Sequence, residues 1–498
     1  MTDATQINQG RGRGRSLHWP GLWRLSPGMT ACARQIVLDS TRRLAVLLGV
    51  VALALACAGI AHAQDVGPAR LFDMKAVLDE STLDTAIVRD EVIDSKARPG
   101  KRVRVIELRF TSQRWKDLVW SHPARVYVPE GYRGGGQAGI IGTERQFFDD
   151  PKWPRRTIAG TQVDTEGEYA EGTAIDLGLP VMIFANPAQD YWGMNESDLT
   201  GHALKQALKT GDLTWNGYYP ITMGYLRAIT LMHSLPGVGT ERAVLMGCSK
   251  RGQAVSTATG VDPGRIAGVM ATCHFGGNHL YFVAKKFAEF GPDVGGPDQQ
   301  HEGPGFQPAE QLLRSINNPV GLQMVQHYDA YMWRQQMKPS FLVALGTNDE
   351  FFALGTPNSM LREMSGDKAF LAVDNQRHSW VSRKHLAAWR MWLAHTFLGR
   401  PLPMIEAKGV VDGNELVVNA SVRSAKPPTD VRLYYAYNPL ATDWRGAKWT
   451  SMALADKGDG YAARLPRKAG QRLAYYVEVE DTGIGGAGYL SSLVESVD

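Results

Sequence analysis

Cysteine is scarce in this chain. Four occur in 498 residues, and two of them, Cys32 and Cys57, fall in a leader expected to be removed. That leaves Cys248 and Cys273, and at most one internal bridge. Metal-ligand spacing is lacking too. His274, His279, His301 and His327 scatter through one stretch without an H-E-x-x-H arrangement, so no metal and no cofactor are expected. An excess of charge is also lacking once the leader is set aside. Arg11, Arg13, Arg15, Arg24, Arg34, Arg42 and Arg43 leave with it, as do Asp3 and Asp39. The remaining 47 basic and 48 acidic residues give a net charge of −1, against +4 for the whole chain. The basic character is a leader effect, which removes the electrostatic case for a nucleic-acid partner. No internal repeat or low-complexity tract is evident beyond the Arg-Gly residues near the start.

The leader itself reads as residues 1–63. Arg42 and Arg43 precede an apolar run at 44–60, and Ala61-His62-Ala63 follows. Positive flank, apolar run and A-x-A site make a secretory signal, with cleavage expected after Ala63. A membrane anchor is the alternative, disfavoured because the run is near the lower length limit for spanning. Ala54 stands where a lipoprotein signal wants leucine. The expectation is a periplasmic or secreted protein with no stable membrane anchor after processing, its cysteines in oxidising surroundings.

What the chain does contain is organised around residues 243–252. Ala243-Val244-Leu245-Met246 reads as a short buried strand, Gly247-Cys248-Ser249-Lys250-Arg251-Gly252 as a tight turn, and the residues from Gln253 as a helix. Strand, strained turn with serine at its apex, then helix is the geometry of a nucleophile elbow. The second glycine sits one place later than in G-x-S-x-G. By itself the pattern suits equally an ordinary strand-to-helix turn with a serine N-cap.

The rest of the chain decides between these. Residues 103–110 alternate and suit an antiparallel edge strand with one wet face. Strands are expected at 124–129, 137–142 and 179–185, a helix at 220–234, then strands at 265–273, 340–346 and 368–374 and an amphipathic helix at 383–398. Strands alternating with helical segments predict an α/β fold with a mostly parallel sheet over 64–403. Residues 274–337, with Gly/Pro-rich runs at 291–297 and 303–306, are too long for a crossover and read as a lid or binding insertion. Residues 404–498 carry short alternating strands divided by Gly, Pro and Asp, the pattern of an antiparallel β-sandwich.

Asp349 follows the 340–346 strand and His378 follows the last strand. Serine at the elbow, acid after a later strand and histidine after the last one is the chain order of an α/β-hydrolase triad. A serine hydroxyl is a poor nucleophile until an imidazole takes its proton, and the acid fixes the imidazole's tautomer and charge. Ser249, His378 and Asp349 are therefore the candidate catalytic residues. Glu350 competes with Asp349, which is nearer the strand end and shorter. His385 and His395 compete with His378 but fall inside the closing helix. The oxyanion donors are expected to be the backbone N–H of Lys250 and one from the Gly142-Thr143 loop. Lys250 and Arg251 are cations at a helix N-terminus, where the dipole disfavours them. Either they pair with nearby carboxylates, or one supports the oxyanion or an acidic substrate group.

Several stretches resemble the PhoPQ-activated pathogenicity-related proteins. These are the elbow with its Ser249-Lys250-Arg251-Gly252, Asn348-Asp349-Glu350-Phe351-Phe352, His378, the 120–130 stretch, Arg227-Ala228, Tyr437-Asn438-Pro439 and Thr442-Asp443-Trp444-Arg445. The resemblance implies an exported α/β-hydrolase-like protein. The chain departs from that family at Cys248, where alanine is usual, and at Gln253, where tryptophan is usual. Gly247-Cys248-Ser249 followed by a basic residue is instead similar to the glucuronoyl esterases, which cleave esters of sugar acids. By that similarity Lys250 takes the place of a catalytic arginine.

The reading is an exported serine hydrolase, an esterase acting on a small-molecule or saccharide ester. The alternative is a non-catalytic binding or scaffolding protein on the same fold. Cys248 and Cys273 each end a strand, and the two strands should be neighbours. Adjacent strands about 4.8 Å apart permit the Cα spacing of a disulfide. The elbow's side-chain direction is the open point, and two small buried thiols are the alternative.

Overall fold

The computed structural model describes residues 66–144, 155–158, 161–187, 191–291, 313, 316–438 and 443–497. The leader, its cleavage site and nearly all of both Gly/Pro-rich runs lie outside them. Residues 66–498 group as one compact unit.

The central strands are β1 (Ala86–Asp94), β2 (Arg102–Trp115), β3 (Leu118–Pro129) and β4 (Gln137–Thr143). A hairpin of β5 (Arg155–Ile158) and β6 (Thr161–Asp164) comes next. β7 (Val181–Ala185), β8 (Arg242–Cys248), β9 (Ile266–Thr272), β10 (Ser340–Gly346) and β11 (Lys368–Val373) complete the sheet. Its order is β1-β2-β3-β7-β4-β8-β9-β10-β11. The first three strands run antiparallel to their neighbours, and everything from β7 to β11 is parallel. This is the α/β-hydrolase arrangement. The longer helices are α1 (Glu196–Thr210), α2 (Tyr218–Ser234), α3 (Lys250–Val261), α4 (His279–Phe290), α5 (Pro319–Tyr328) and α6 (Arg383–Leu398). None of the described helices is long and apolar enough to cross a membrane.

The two faces of the sheet follow from the two-residue period of a strand. In β8, Ala243 and Leu245 join one core with Leu226 and Ile229 of α2 and Ala254 and Ala258 of α3. Val244 and Met246 point the other way, into a core built on Trp389 and Trp392 of α6. Both tryptophans are fully buried, each stabilising the fold by roughly 2–3 kcal/mol. α6 spans the predicted residues because both ends are chemically marked. Ser382 caps it by accepting from the His385 N–H, and Gly399 ends it at φ 72°.

One expectation is corrected. The 103–110 strand is not the edge, because β1 pairs outside it from Ala86↔Arg109 to Asp94↔Arg102. β1 is exposed along nearly its whole length, so it carries no apolar periodicity that could have announced it.

The C-terminal strands form two antiparallel sheets. β12 (Met404–Asp412), β13 (Glu415–Arg423), β16 (Ala455–Asp456) and β17 (Tyr461–Pro466) make one. β14 (Asp430–Asn438), β15 (Thr450–Ala453), β18 (Arg472–Gly483), β19 (Gly486–Ser491) and β20 (Glu495–Val497) make the other. Leu416, Val418, Leu433, Leu465 and Val477 fill the space between. The sandwich is tied to the rest of the unit by polar contacts. Lys384 of α6 pairs with Glu478 at 2.6 Å, and the buried Arg400 pairs with Asp481 at 2.7 Å.

Candidate active site

Ser249 stands between β8 and α3 with φ 58° and ψ −118°. That backbone conformation is costly for a residue with a Cβ, and such outliers concentrate at functional sites. Its side chain makes no capping hydrogen bond to α3, so the N-cap alternative does not describe this serine. The flanking glycines let the chain turn here. A Cβ on Gly247 would lie 2.5 Å from the Arg251 carbonyl oxygen, and one on Gly252 would lie 2.9 Å from His274 Cβ. The second glycine is therefore required where α3 crosses the end of β9, one place later than in the usual motif.

Asp349 and His378 come together. Asp349 Oδ2 lies 2.8 Å from His378 Nδ1, while Oδ1 accepts the N–H groups of Phe351 at 2.8 Å and Phe352 at 3.0 Å. Glu350 does something else. Its Oε2 accepts the backbone N–H of His378 at 2.9 Å, and it pairs with Arg377 at 3.4 Å. The two acids thus divide the work, one orienting the ring and the other its backbone. The rings of Phe351 and Phe352 pack on the imidazole, with centroids at 4.6 and 5.7 Å. Burial pushes the His378 pKa down, but the charge and hydrogen bond of Asp349, then Cys248 and Glu350, outweigh it and hold the group up at about 9.

Ser249 and His378 line a common cavity of about 470 Å³ with Lys250, Glu144, Lys286 and Tyr328. The Ser249 hydroxyl makes no hydrogen bond to the imidazole here, and such contacts often tighten only when substrate is bound. α4 and α5, from the predicted insertion, form one wall of the cavity.

Lys250 and Arg251 share one carboxylate. Arg251 Nη2 lies 2.6 Å and Lys250 Nζ 3.4 Å from Glu196 at the start of α1. Burial pushes the Glu196 pKa up, but the charges of Arg251 and Lys250, with hydrogen bonds from Asn186 and Arg251, bring it down to about 2. The elbow's two cations are therefore structurally paired. Sequence reading missed Glu196 because it lies more than 50 residues upstream of its partners. The only signal was that two adjacent cations at a helix N-terminus need a counter-charge.

Of the two expected oxyanion donors, one lies at the start of α3. Lys250 opens α3, so its N–H has no partner within the helix. On the other side, at Gly142, the Tyr225 hydroxyl comes close while donating to the Met246 carbonyl at 2.8 Å. A Cβ at Gly142 would meet that hydroxyl at 2.1 Å. The glycine therefore makes room for a tyrosine that binds β8. Thr143 is buried, and its carbonyl accepts from Arg251 Nε at 3.1 Å and from the Asn186 N–H at 3.2 Å. The cavity is reached one residue later, at Glu144.

The elbow turns Cys248 toward Cys273, and the two free thiols lie with their sulfurs 2.7 Å apart. Burial pushes the Cys248 pKa up, but the Cys273 thiol and the His378 charge bring it below the usual thiol value, whereas burial raises Cys273. Cys248, Cys273 and His378 also present ligand atoms within 4.8 Å of one another. Such a sulfur and imidazole set suits a soft cation such as copper(I) or zinc. No motif spacing marked this trio, because Cys248 ends β8, Cys273 follows β9 and His378 lies in the loop after β11.

The remaining candidates have packing roles. His385 is buried against Ser382, with Nδ1 at 2.8 Å from its Oγ, and His395 pairs with Asp367 at 2.6 Å. His274 and His279 also line the cavity. Burial, with the charges of His279 and His378, pushes His274 down to about 3, and burial pushes His279 down to about 4. Gln253 is bound to Tyr328 O at 2.6 Å and to His274 Nε2 at 3.1 Å, which joins α3 to the insertion.

A sequence model of the family described as PhoPQ-activated pathogenicity-related protein matches residues 94–445. Among solved structures, the chain is similar to an acetyl xylan esterase from Paenibacillus sp. R4, at 13% identity and a TM-score of 0.39, over 62% of this chain and 87% of that one. It is similar to a glucuronoyl esterase from Solibacter usitatus at 12% identity and 0.41, over 64% and 87%. It is also similar to an S-formylglutathione hydrolase from Agrobacterium tumefaciens at 14% and 0.35, over 59% and 92%. No curated protein sequence matches the chain.

Proposed function

The chain belongs to the PhoPQ-activated pathogenicity-related protein family, and we propose that it is an exported serine hydrolase that cleaves carboxylic esters through an acyl-enzyme. Ser249 Oγ attacks the ester carbonyl while His378 Nε2 takes its proton, and Asp349 holds the imidazolium in place. The oxyanion is met by the Lys250 N–H and by a second backbone donor at Glu144. Proton return from His378 to the departing alcohol oxygen releases it and leaves the acyl group on Ser249. Water, deprotonated by the same imidazole, then cleaves the acyl-enzyme. The observation that carries this reading is the conformation of Ser249: φ 58°, no capping bond, and a place in the lining of the cavity that is also lined by His378, the partner of Asp349.

A panel of acyl, acetyl-sugar and uronate esters tests it. Wild type should hydrolyse at least one member, and Ser249→Ala should lower kcat by about 10³-fold or more. For export, the N-terminus of protein recovered outside the cytoplasm should begin at Gln64; an uncut leader on that material would contradict the reading. The rival, a binding protein on the same fold, gains one support: a His378 held up at about 9 favours its protonated form at neutral pH, which opposes its role as base. Part of that rise comes from Cys248, so the thiol state bears directly on the choice between the two readings.

A further inference from the structure

Five basic side chains line the cavity: Lys250, Lys286, His274, His279 and His378. Lys250 has Glu196, and His378 has Asp349. Lys286, on α4, is different. Only 6% of it is exposed, and among the described residues no carboxylate lies within ion-pair distance of its ammonium. Its neighbour Lys285 takes Glu289 at 2.6 Å. The Lys286 nitrogen lies 5.7 Å from the centroid of the Phe282 ring. The carboxylate that most favours its charge is Asp349, and Arg445 opposes it. Both Asp349 oxygens are already engaged, by His378 and by the N–H groups of Phe351 and Phe352. Burial pushes Lys286 down to about 8.

A desolvated ammonium with no partner is costly. A protein that keeps one in the lining of the cavity that also holds a strained serine has left the counter-charge to come from outside. The surroundings say what would bring it. Phe275 and Phe282 stack with centroids 4.4 Å apart, and Phe352 lies 5.5 Å from Phe282. An apolar wall with one buried cation suits a molecule with a flat or aliphatic body and a single anionic group.

We propose that Lys286 is the specificity-determining residue of this cavity, and that the ester it accepts carries a carboxylate which pairs with the Lys286 ammonium. This rests on the hydrolase reading, deepening it from an ester to an anionic ester. The pairing is a charge-assisted contact in a water-poor site, the strong kind of hydrogen bond.

The test has a turnover arm and a binding arm. Turnover compares 4-acetoxybenzoate with 4-methylphenyl acetate, where the anion sits on the alcohol side. It also compares the 4-nitrophenyl monoester of adipate with 4-nitrophenyl hexanoate, where it sits on the acyl side. In Lys286→Met, the ratio of kcat/KM for the anionic ester to that for its neutral counterpart should fall about tenfold or more in at least one pair, through KM, with partial recovery in Lys286→Arg. Binding uses benzoate titrated into Ser249→Ala, in which turnover is removed, and into Ser249→Ala/Lys286→Met. Affinity should drop about tenfold or more in the double variant. If both ratios are unchanged by Lys286→Met while the variant stays folded, Lys286 is structural and the proposal is overturned. Equal benzoate affinity for the two binding variants overturns it as well. Lysine-dependent benzoate binding without hydrolysis of any ester would retain the anion site and reject the hydrolase reading instead.

Discussion

On the nucleophile side of the cavity the constraints are local. Gly247 and Gly252 admit the close approaches that set the turn, Tyr225 binds the Met246 carbonyl of β8 just below it, and Cys273 comes from the neighbouring strand. On the histidine side they come from the far end of the chain. Asn348 Nδ2 donates to the carbonyls of Trp444, Arg445 and Ala447, 96 to 99 residues downstream, at 3.3, 3.1 and 2.7 Å. Asn375 exchanges two hydrogen bonds with the backbone of Trp449, at 3.0 and 2.9 Å. Asn348 also gives its N–H to the carbonyl of Gln376, which joins the acid loop to the histidine loop. The elbow is thus a strained turn held by its own packing. The loops that carry Asp349 and His378 are pinned by the C-terminal segment, which makes that segment part of the candidate site's support.

The contrast can be broken at four places. The largest effect belongs to the acid. Asp349→Asn should lower kcat/KM by about 10³–10⁴-fold, because the ring loses its fixed tautomer, and Glu350→Gln should cost far less. Equal losses in steady-state kinetics would mean that the two acids are not divided as their hydrogen bonds suggest. Next comes the elbow's own support. Glu196→Ala leaves Arg251 buried without its partner and should destabilise the fold by about 3–5 kcal/mol, read by denaturant unfolding. The depressed Glu196 pKa adds stability that is complete above about 4.5 and is lost as pH falls through about 2, so the variant should lose the corresponding acid limb.

The third is the remote support. Asn348→Ala should lower kcat by about tenfold by loosening the acid loop, with KM for a neutral ester little changed. Unaltered kcat would reduce the C-terminal segment to packing. The smallest effect is on pH dependence. With both thiols free, kcat/KM should rise through an apparent pKa near 9, since the base must lose its proton. The stability that the charged imidazole supplies is complete below about 6.5 and fades as pH rises through about 9. Oxidation by glutathione disulfide, yielding the Cys248–Cys273 bond and two reduced glutathiones, removes the titratable Cys248 thiol and should move the activity limb to lower pH. It should also stabilise the fold by about 3 kcal/mol in the chain-entropy model. Two alkylated thiols in the mass of the oxidised, denatured protein would rule the bond out.

The parallel strands were legible because each is a short uninterrupted apolar run, and α6 because Ser382 and Gly399 mark its ends. Chain order pointed to Asp349 and His378, which the structure brings together. β1 was not, since an exposed edge strand buries neither face. β12 failed for the same reason, being half exposed along its length. Lys286 could not be singled out, because a lysine on an amphipathic helix is ordinarily solvated. Only the placement of the insertion against the cavity buries it. The roles of Asn348 and Asn375 were hidden by distance along the chain, as was that of Glu196.

The central claim is that Ser249, strained at the elbow and faced by His378, is the nucleophile. The most direct measurement is peptide mass mapping after exposure to a fluorophosphonate, with the thiols oxidised and again with them reduced. The account predicts one phosphonyl adduct, on the peptide containing Ser249, formed faster in the oxidised protein near neutral pH and absent from Ser249→Ala. No adduct in either redox state up to pH 9, or an adduct that persists in Ser249→Ala, would contradict it.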